Sequence, residues 1–236
     1  MNLIQNMEAA WYYHLGSRHL EVNEHDSALA NFNRALNLQS DHYKAWFGRG
    51  MALGNLERHS EALLSFDEAL AVQQNASFGW HNRAIALGKL GRPMDALNSF
   101  DRALEFNPCA PSIWHNRGLL LIDMGLYEKA VLSFDRSLHL QPEAPWAWYN
   151  QGNALLELKL YYQALNSFDR AIEFNPDDAK AWYNRGLAAN SMGLYKQAVG
   201  SFSRSIALQP GRAEAVGERR VALGKLVGLN QKNAKF

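Results

Sequence analysis

The sequence predicts an all-α solenoid of six tandem helix–turn–helix blocks followed by one capping helix. Three observations carry this. An aromatic residue recurs every thirty-four positions, at Tyr12, Trp46, Trp80, Trp114, Trp148 and Trp182. Phe32, Phe66, Phe100, Phe134, Phe168 and Phe202 keep the same step, with nothing inserted or deleted. Within each block the apolar residues fall into two stripes at helical spacing, separated by a turn slot. A fixed period of this length marks a stack of like units rather than one globular core. Such stacks present long surfaces to partners.

The blocks start at residues 9, 43, 77, 111, 145 and 179. Residues 1–8 form an extension, 9–212 the repeats, 213–229 the capping helix and 230–236 a tail. No separate catalytic or membrane domain is expected. Hydrophobic residues make up 47% of the chain, enough apolar surface to exclude disorder except at the ends.

The block from Tyr43 to Ala76 shows the physics. Trp46, Gly50 and Leu53 lie four and three apart, on one helical face. Ala62, Phe66 and Ala69 repeat that spacing after a gap, so two amphipathic helices joined by a short turn account for both stripes. The small Gly50 and Ala62 are expected to let the two backbones approach. Trp46 and Phe66 are expected to supply most of the buried surface.

The punctuation agrees. Gly91, Gly125 and Gly193 share the slot between the stripes, with Asn23 there in the first block. Both residue types tolerate the left-handed conformation that ends a helix. Pro93 suits the first turn of the next helix. Pro108, Pro142, Pro176 and Pro210 close their blocks, and Pro111 and Pro145 open theirs.

The ends depart from the pattern, as the ends of a stack must. The first block has His19 where others carry Leu or Ala, and Ser40 in place of proline. After the last block, Ala213 to about Leu226 reads as one more helix, with Val216 in the Trp slot and Arg220 in the Gly slot. A terminal cap is expected to carry a more polar outer face.

Composition removes several function classes. The formal net charge is +1, from 24 basic and 23 acidic residues, which argues against binding driven by phosphate neutralisation. The single Cys109, in an inter-block turn, excludes an internal disulfide framework and a cysteine-based zinc site. The amino terminus lacks a basic segment followed by an apolar one, and no run approaches the length of a membrane span. A cytoplasmic protein is expected, binding neither membrane nor nucleic acid.

These residues resemble the tetratricopeptide repeat. That family's pattern appears in the fifth block as Trp148, Gly152, Leu155, Ala164, Phe168, Ala171 and Pro176. The match covers residues 9–212, and the trailing helix resembles the family's solvating cap. One departure is a basic or amide residue, Arg49, Arg83, Arg117, Gln151 and Arg185, in a slot the family usually fills with Leu. The wording Tyr-Asn-Arg-Gly and Phe-Asp-Arg-Ala looks like repeats common in bacterial and archaeal proteins. The resemblance implies a right-handed superhelix of antiparallel helix pairs. It also implies that first helices line a concave groove holding a peptide or partner segment.

Within that groove the sharpest signal is an asparagine series, Asn82, Asn116, Asn150 and Asn184. Each lies two residues after the Trp, turned about 200° from it on a helix. An amide carries both donor and acceptor, so it suits a peptide backbone without reading side chains. The series resembles the asparagine ladder in the repeats of O-linked N-acetylglucosamine transferase, although no catalytic domain accompanies it here. The competing reading is that these amides bond neighbouring helices or water. His14 and Gly48 interrupt the series in the first two blocks.

The remaining candidate lining residues are largely aromatic. Tyr13, Phe47, His81, His115, Tyr149 and Tyr183 share one slot; Phe78 and Trp146 share another. Met51, Ile85 and Leu119 also fall on this side, with core packing the expected fate of Ile85 and Leu119. An apolar groove with amide rungs suits an extended ligand with hydrophobic anchors. Chaperone-binding members of the family hold a carboxyl terminus with a set of basic residues. Here Lys44 and Lys180 stand in suitable slots without the rest of that clamp, so recognition of an acidic carboxyl-terminal motif is not expected.

His81 and His115 invite a metal reading, but helices one block apart are separated by roughly 10 Å. Zinc needs ligands converging near 2 Å. No metal and no cofactor is expected.

Arg83, Arg117 and Arg185 face an acidic series, Asp67, Asp101, Asp135 and Asp169. Arg83 can reach Asp67 of the preceding block or Asp101 of its own, and matching charges does not decide between them. Bracing of the block junction favours the preceding block. No phosphate-binding loop, nucleophile elbow or metal-ligand spacing is present, so no enzyme is expected.

The function expected is therefore a protein-interaction scaffold holding an extended segment. The alternative is a structural protein that self-assembles into a homo-oligomer through its exposed ends. A modular RNA reader is disfavoured by the repeat period and the balanced charge.

Overall fold

The computed structural model describes residues 3–233, all helical or in short turns. Among the described residues there are thirteen α-helices and no strand. They divide into two compact units, one reaching Ile113 and one beginning at Trp114. The boundary falls inside α7 (Pro111–Asp123).

The first unit holds α1 (Leu3–Glu21), α2 (His25–Leu38), α3 (Tyr43–Asn55), α4 (His59–Val72), α5 (Ser77–Lys89) and α6 (Pro93–Phe106). Consecutive helices pack on one another, and α3 also touches both α1 and α5. First helices therefore form one layer and second helices another. The second unit repeats the scheme with α8 (Tyr127–Leu140), α9 (Pro145–Glu157), α10 (Tyr161–Phe174), α11 (Ala179–Ser191), α12 (Tyr195–Leu208) and α13 (Ala213–Asn233). There α11 touches both α9 and α13.

Each core is a column of phenylalanines. Phe32, Phe134, Phe168 and Phe202 are fully buried, with Phe66 and Phe100 nearly so. In the second unit one cluster runs from Leu155 through Phe168, Ala189 and Phe202 to Ala222, spanning successive helix pairs. Such continuity is what stabilises a stack whose single pair cannot cover its own stripe.

The repeated glycine has a more specific role than backbone approach. A Cβ added at Gly50 would lie 2.5 Å from the Phe66 ring, and one at Gly186 would lie 2.5 Å from Phe202. The glycine is a socket for its own block's phenylalanine. Phenylalanine therefore carries the burial, and tryptophan less of it than expected. Trp46, Trp80, Trp148 and Trp182 are half-buried. Their indole N–H groups donate to backbone carbonyls six residues earlier, those of Ser40, Gln74, Pro142 and Pro176, at 2.7–2.9 Å. Each indole staples its helix to the preceding turn and satisfies a carbonyl at a helix end.

The turn slot behaves as its residue types require. Asn23, Gly91, Gly125 and Gly193 have φ of 60°, 70°, 71° and 76°. Glu57 and Lys159 occupy the same slot at φ 59°, a left-handed conformation that costs a residue with a Cβ about 1 kcal/mol or more. Pro93, Pro111 and Pro145 each stand first in a helix.

The termini differ from expectation. Residues 3–8, read as an extension, belong to α1, and α13 runs to Asn233, past the expected end at 229. Residues 1, 2 and 234–236 of the expected extension and tail lie outside the described residues. The exposed faces of the terminal helices mix polar with apolar residues. Ile4, Met7 and Trp11 on α1 are 62%, 66% and 58% exposed, and Val216, Leu223 and Val227 on α13 are exposed too.

Candidate functional site

The first helices that would face a ligand are braced by a polar lattice. Arg83 donates through Nε to Asp67 of the preceding block at 2.7 Å and through Nη1 to Ser99 of its own block at 2.7 Å. Arg185 does the same with Asp169 and Ser201. Arg49 uses Asn33 and Ser65, and in the fifth block Gln151 bridges Asp135 and Ser167. The acidic partner thus lies across the junction, as bracing favoured. The serine series was not singled out in the sequence, although Ser65, Ser99, Ser133, Ser167 and Ser201 recur at the block period and are buried. Each arginine also lies over the tryptophan three residues before it, at 5.6 Å for Arg49 and Arg83. With Gln151 in place of arginine, burial raises the Asp135 carboxyl above its usual range, opposed by the hydrogen bond from Gln151.

The aromatic slot is the inner half of the core. Tyr13, Phe47, His81, His115, Tyr149 and Tyr183 each pack on their own block's phenylalanine, with ring centroids 5.5–6.2 Å apart. His115 also meets the edge of Trp146 at 4.2 Å, and Tyr183 lies beneath the Arg212 guanidinium at 4.5 Å. Burial pushes the His81 and His115 imidazoles down to about 4, so both are neutral near pH 7. Among the described residues no group of three or more His, Cys, Asp or Glu side chains converges as a metal site would require.

The asparagine slot lies over the junction with the preceding block. In the second block the Phe32 ring of the preceding block fills this slot, and a Cβ at Gly48 would stand 2.5 Å from it. Asn82 turns back on its own helix and donates to the Phe78 carbonyl at 2.8 Å. Asn184 donates to the Asn153 side-chain oxygen at 2.7 Å and to the Tyr149 hydroxyl at 3.3 Å. Asn116 and Asn150 are half-buried.

Phe78 and Trp146 are 56% and 40% exposed at the starts of α5 and α9. Each stands four residues before an asparagine, on the same helical face. Ile85, expected in the core, is exposed and instead borders an open cavity of about 260 Å³ with Met51 and Asn82. Leu119 is half-buried. In the second unit a cavity of about 370 Å³ is bordered by Asn153, Asn184, Ile122, Tyr127, Leu156 and Leu187. Asn153 was missed in the sequence. Its signal was a break in a slot otherwise filled by Ser17, Met51, Ile85, Leu119 and Leu187.

Sequence profiles of the tetratricopeptide repeat match residues 13–78 and 81–145, and again 145–178 and 179–212. The chain belongs to the tetratricopeptide repeat family. Among curated proteins none matches it significantly. Solved tetratricopeptide repeat structures share its fold. YrrB, described as a TPR protein with an unusual peptide-binding site, is 19% identical at a TM-score of 0.71, over 80% of this chain and 97% of that one. PilF of Pseudomonas aeruginosa is 17% identical at 0.75, over 94% and 99%. The C-terminal part of a TPR repeat-containing protein from Cytophaga hutchinsonii is 16% identical at 0.76, over 89% and 84%. At such identities the likeness is one of fold. Tetratricopeptide repeats generally mediate protein–protein interaction, and that coarse role holds for this chain. No helix among its described residues is long and apolar enough to cross a membrane.

Proposed function

We propose that this tetratricopeptide protein holds an extended peptide or partner segment along its first helices, using amide side chains for backbone and aromatic side chains as anchors. The observation that carries this is the pairing of an exposed aromatic with an asparagine one turn later, Phe78 with Asn82 and Trp146 with Asn150. Large exposed aromatics are costly to leave in water and are favoured as binding anchors. The peptide-binding site named for YrrB lends support by analogy of fold. Overlapping peptides displayed on a membrane would find ligands, and titration of the pure protein with a retained peptide would rank variants. Trp146→Ala and the pair Asn116→Ala with Asn150→Ala should weaken binding while the helical circular dichroism of the fold is retained. Unchanged affinity in all of them overturns the reading.

Self-assembly is a second reading, favoured by the exposed Ile4, Met7 and Trp11 of α1 and Val216 and Val227 of α13. Light scattering across a concentration series tests it. A chain that stays monomeric removes it; a mass that rises with concentration and falls in Trp11→Glu supports it.

A further inference from the structure

We infer that the fourth block docks an acidic segment of a partner protein on the side of α7 opposite the asparagine slot, where Arg136 receives a carboxylate that other blocks supply themselves. One arginine slot recurs on the second helices as Arg34, Arg102, Arg136, Arg170 and Arg204. In the third block Arg102 lies over Trp80 at 5.7 Å and over Phe106 at 5.3 Å, and it pairs with Glu105. In the fifth, Arg170 lies over Trp148 at 5.7 Å and over Phe174 at 5.1 Å, and it pairs with Glu173 at 2.6 Å. Arg34 lies over Tyr12 at 5.5 Å, and Arg204 pairs with Asp177 at 3.2 Å. The fourth block lacks two supports of this clamp. His139 stands where Glu105 and Glu173 do, and Leu140 where Phe106 and Phe174 do. Arg136 is exposed, with neither an ion pair nor an aromatic ring against it among the described residues.

An open cavity of about 560 Å³ lies beside Arg136, lined also by Trp114 and Arg117 of α7 and by Leu132, Asp135 and His139 of α8. The Arg117 guanidinium lies over the Trp114 ring at 5.9 Å and donates to the Ser133 hydroxyl at 2.7 Å, which fixes that wall. Two guanidinium groups and an imidazole therefore stand against one carboxylate, and the Asp135 carboxylate already accepts from Gln151 at 2.6 Å. That balance selects an acid, and a carboxylate matches the fork of a guanidinium with two oxygens. Leu132, 64% exposed, adds an apolar contact at the same place. Arginine and tryptophan are the residues that most often anchor an interface. The volume admits a Glu side chain together with an apolar neighbour rather than a lone ion. The site is separate from the asparagine slot, because Asn116 is turned about 200° from Trp114 on α7.

The test is a titration of the ¹⁵N-labelled full chain with acetyl-Gly-Leu-Glu-Leu-Gly-amide, following the Trp114 indole N–H and the Arg136 Nε–H resonances. Both should move together and saturate. Replacing the peptide's Glu by Gln should weaken binding about three- to tenfold. His139→Glu restores the clamp's own acid, and Arg136→Gln removes the cation. Both change exposed side chains, and each should weaken the peptide by about as much while the helical circular dichroism is retained. Asn116→Ala with Asn150→Ala should leave this peptide's affinity unchanged, so failure of this site and failure of the groove reading are told apart. Equal affinity for the Glu and Gln peptides, full affinity in both α8 variants, or a stationary Trp114 indole overturns the assignment. So does a preference at Trp114 for acetyl-Gly-Leu-Lys-Leu-Gly-amide, or a response there to inorganic phosphate and not to the Glu peptide.

Discussion

Arg83 reaches across a block junction to Asp67, placing its Nε 2.7 Å from the carboxylate Oδ1. Its second arm holds Ser99 on the helix that pairs with its own, so one guanidinium ties three helices. The Asp67 side chain is 44% exposed, which limits what the charge pair alone contributes. A double-mutant cycle of Arg83→Met and Asp67→Asn should show coupling of about 0.5–1 kcal/mol. Arg83→Met alone should cost about 1–2 kcal/mol, because it also leaves the buried Ser99 hydroxyl without its donor. Urea titrations followed by circular dichroism would read both; equal losses in the two single variants would contradict the three-helix role.

Gly186 is a socket for Phe202, with a ring atom 2.5 Å from where a Cβ would stand. Gly186→Val should therefore destabilise by about 2–3 kcal/mol through overpacking. Gly186→Ala should cost less, since the third block carries Ala84 in this slot with Phe100 still 3% exposed. Gly88→Ala meets nothing within 4 Å and should stabilise its helix by roughly 0.5–1 kcal/mol. Thermal melts of the three variants check the order; a neutral Gly186→Val would remove the socket.

Lys159 sits at φ 59° in a slot where three other blocks carry glycine at φ 70–76°. Lys159→Gly and Glu57→Gly should each stabilise by about 0.5–1 kcal/mol, the released left-handed strain exceeding the entropy a new glycine adds to the unfolded chain. Gly91→Ala should do the reverse. Denaturant midpoints that fall in the two glycine variants would show that the turn is held by its surroundings at no cost.

His81 and His115 make stability depend on pH in one direction. Their folded values near 4 lie below the unfolded 6.5, so the unfolded chain takes up protons first as pH falls. The full contribution is present above pH 6.5 and is lost on going down through about 4. A tenfold difference in proton affinity between the folded and unfolded chain is worth about 1.4 kcal/mol, so a loss on the order of 2 kcal/mol or more across that window is expected for the two together. His81→Tyr with His115→Tyr, which installs the residue of the fifth and sixth blocks, should flatten the slope. A slope unchanged in the double variant would assign the acid sensitivity to other groups.

The period by itself determined the family, the helix pairs, the turn slot and the phenylalanine column. A residue's position relative to its own helix is written in its spacing, and Phe32 through Phe202 needed nothing more to be placed in the core. What only the tertiary structure decided lies at the junctions between blocks. Spacing could not say whether Arg83 turns to Asp67 or Asp101, because one acid stands on each of the two second helices that flank its own. The packing of α5 on α4 selects Asp67. Nor could spacing show that Asn82 folds back onto the Phe78 carbonyl while Asn184, in the same slot, reaches Asn153 and Tyr149. The slot is identical, but the neighbour across the junction is not: Met51 stands where Asn153 does, one block earlier than the asparagine in each case. An amide's bonds are set by what the adjoining helix offers within about 3 Å. That is a property of two helices in contact, which no single stripe of sequence contains.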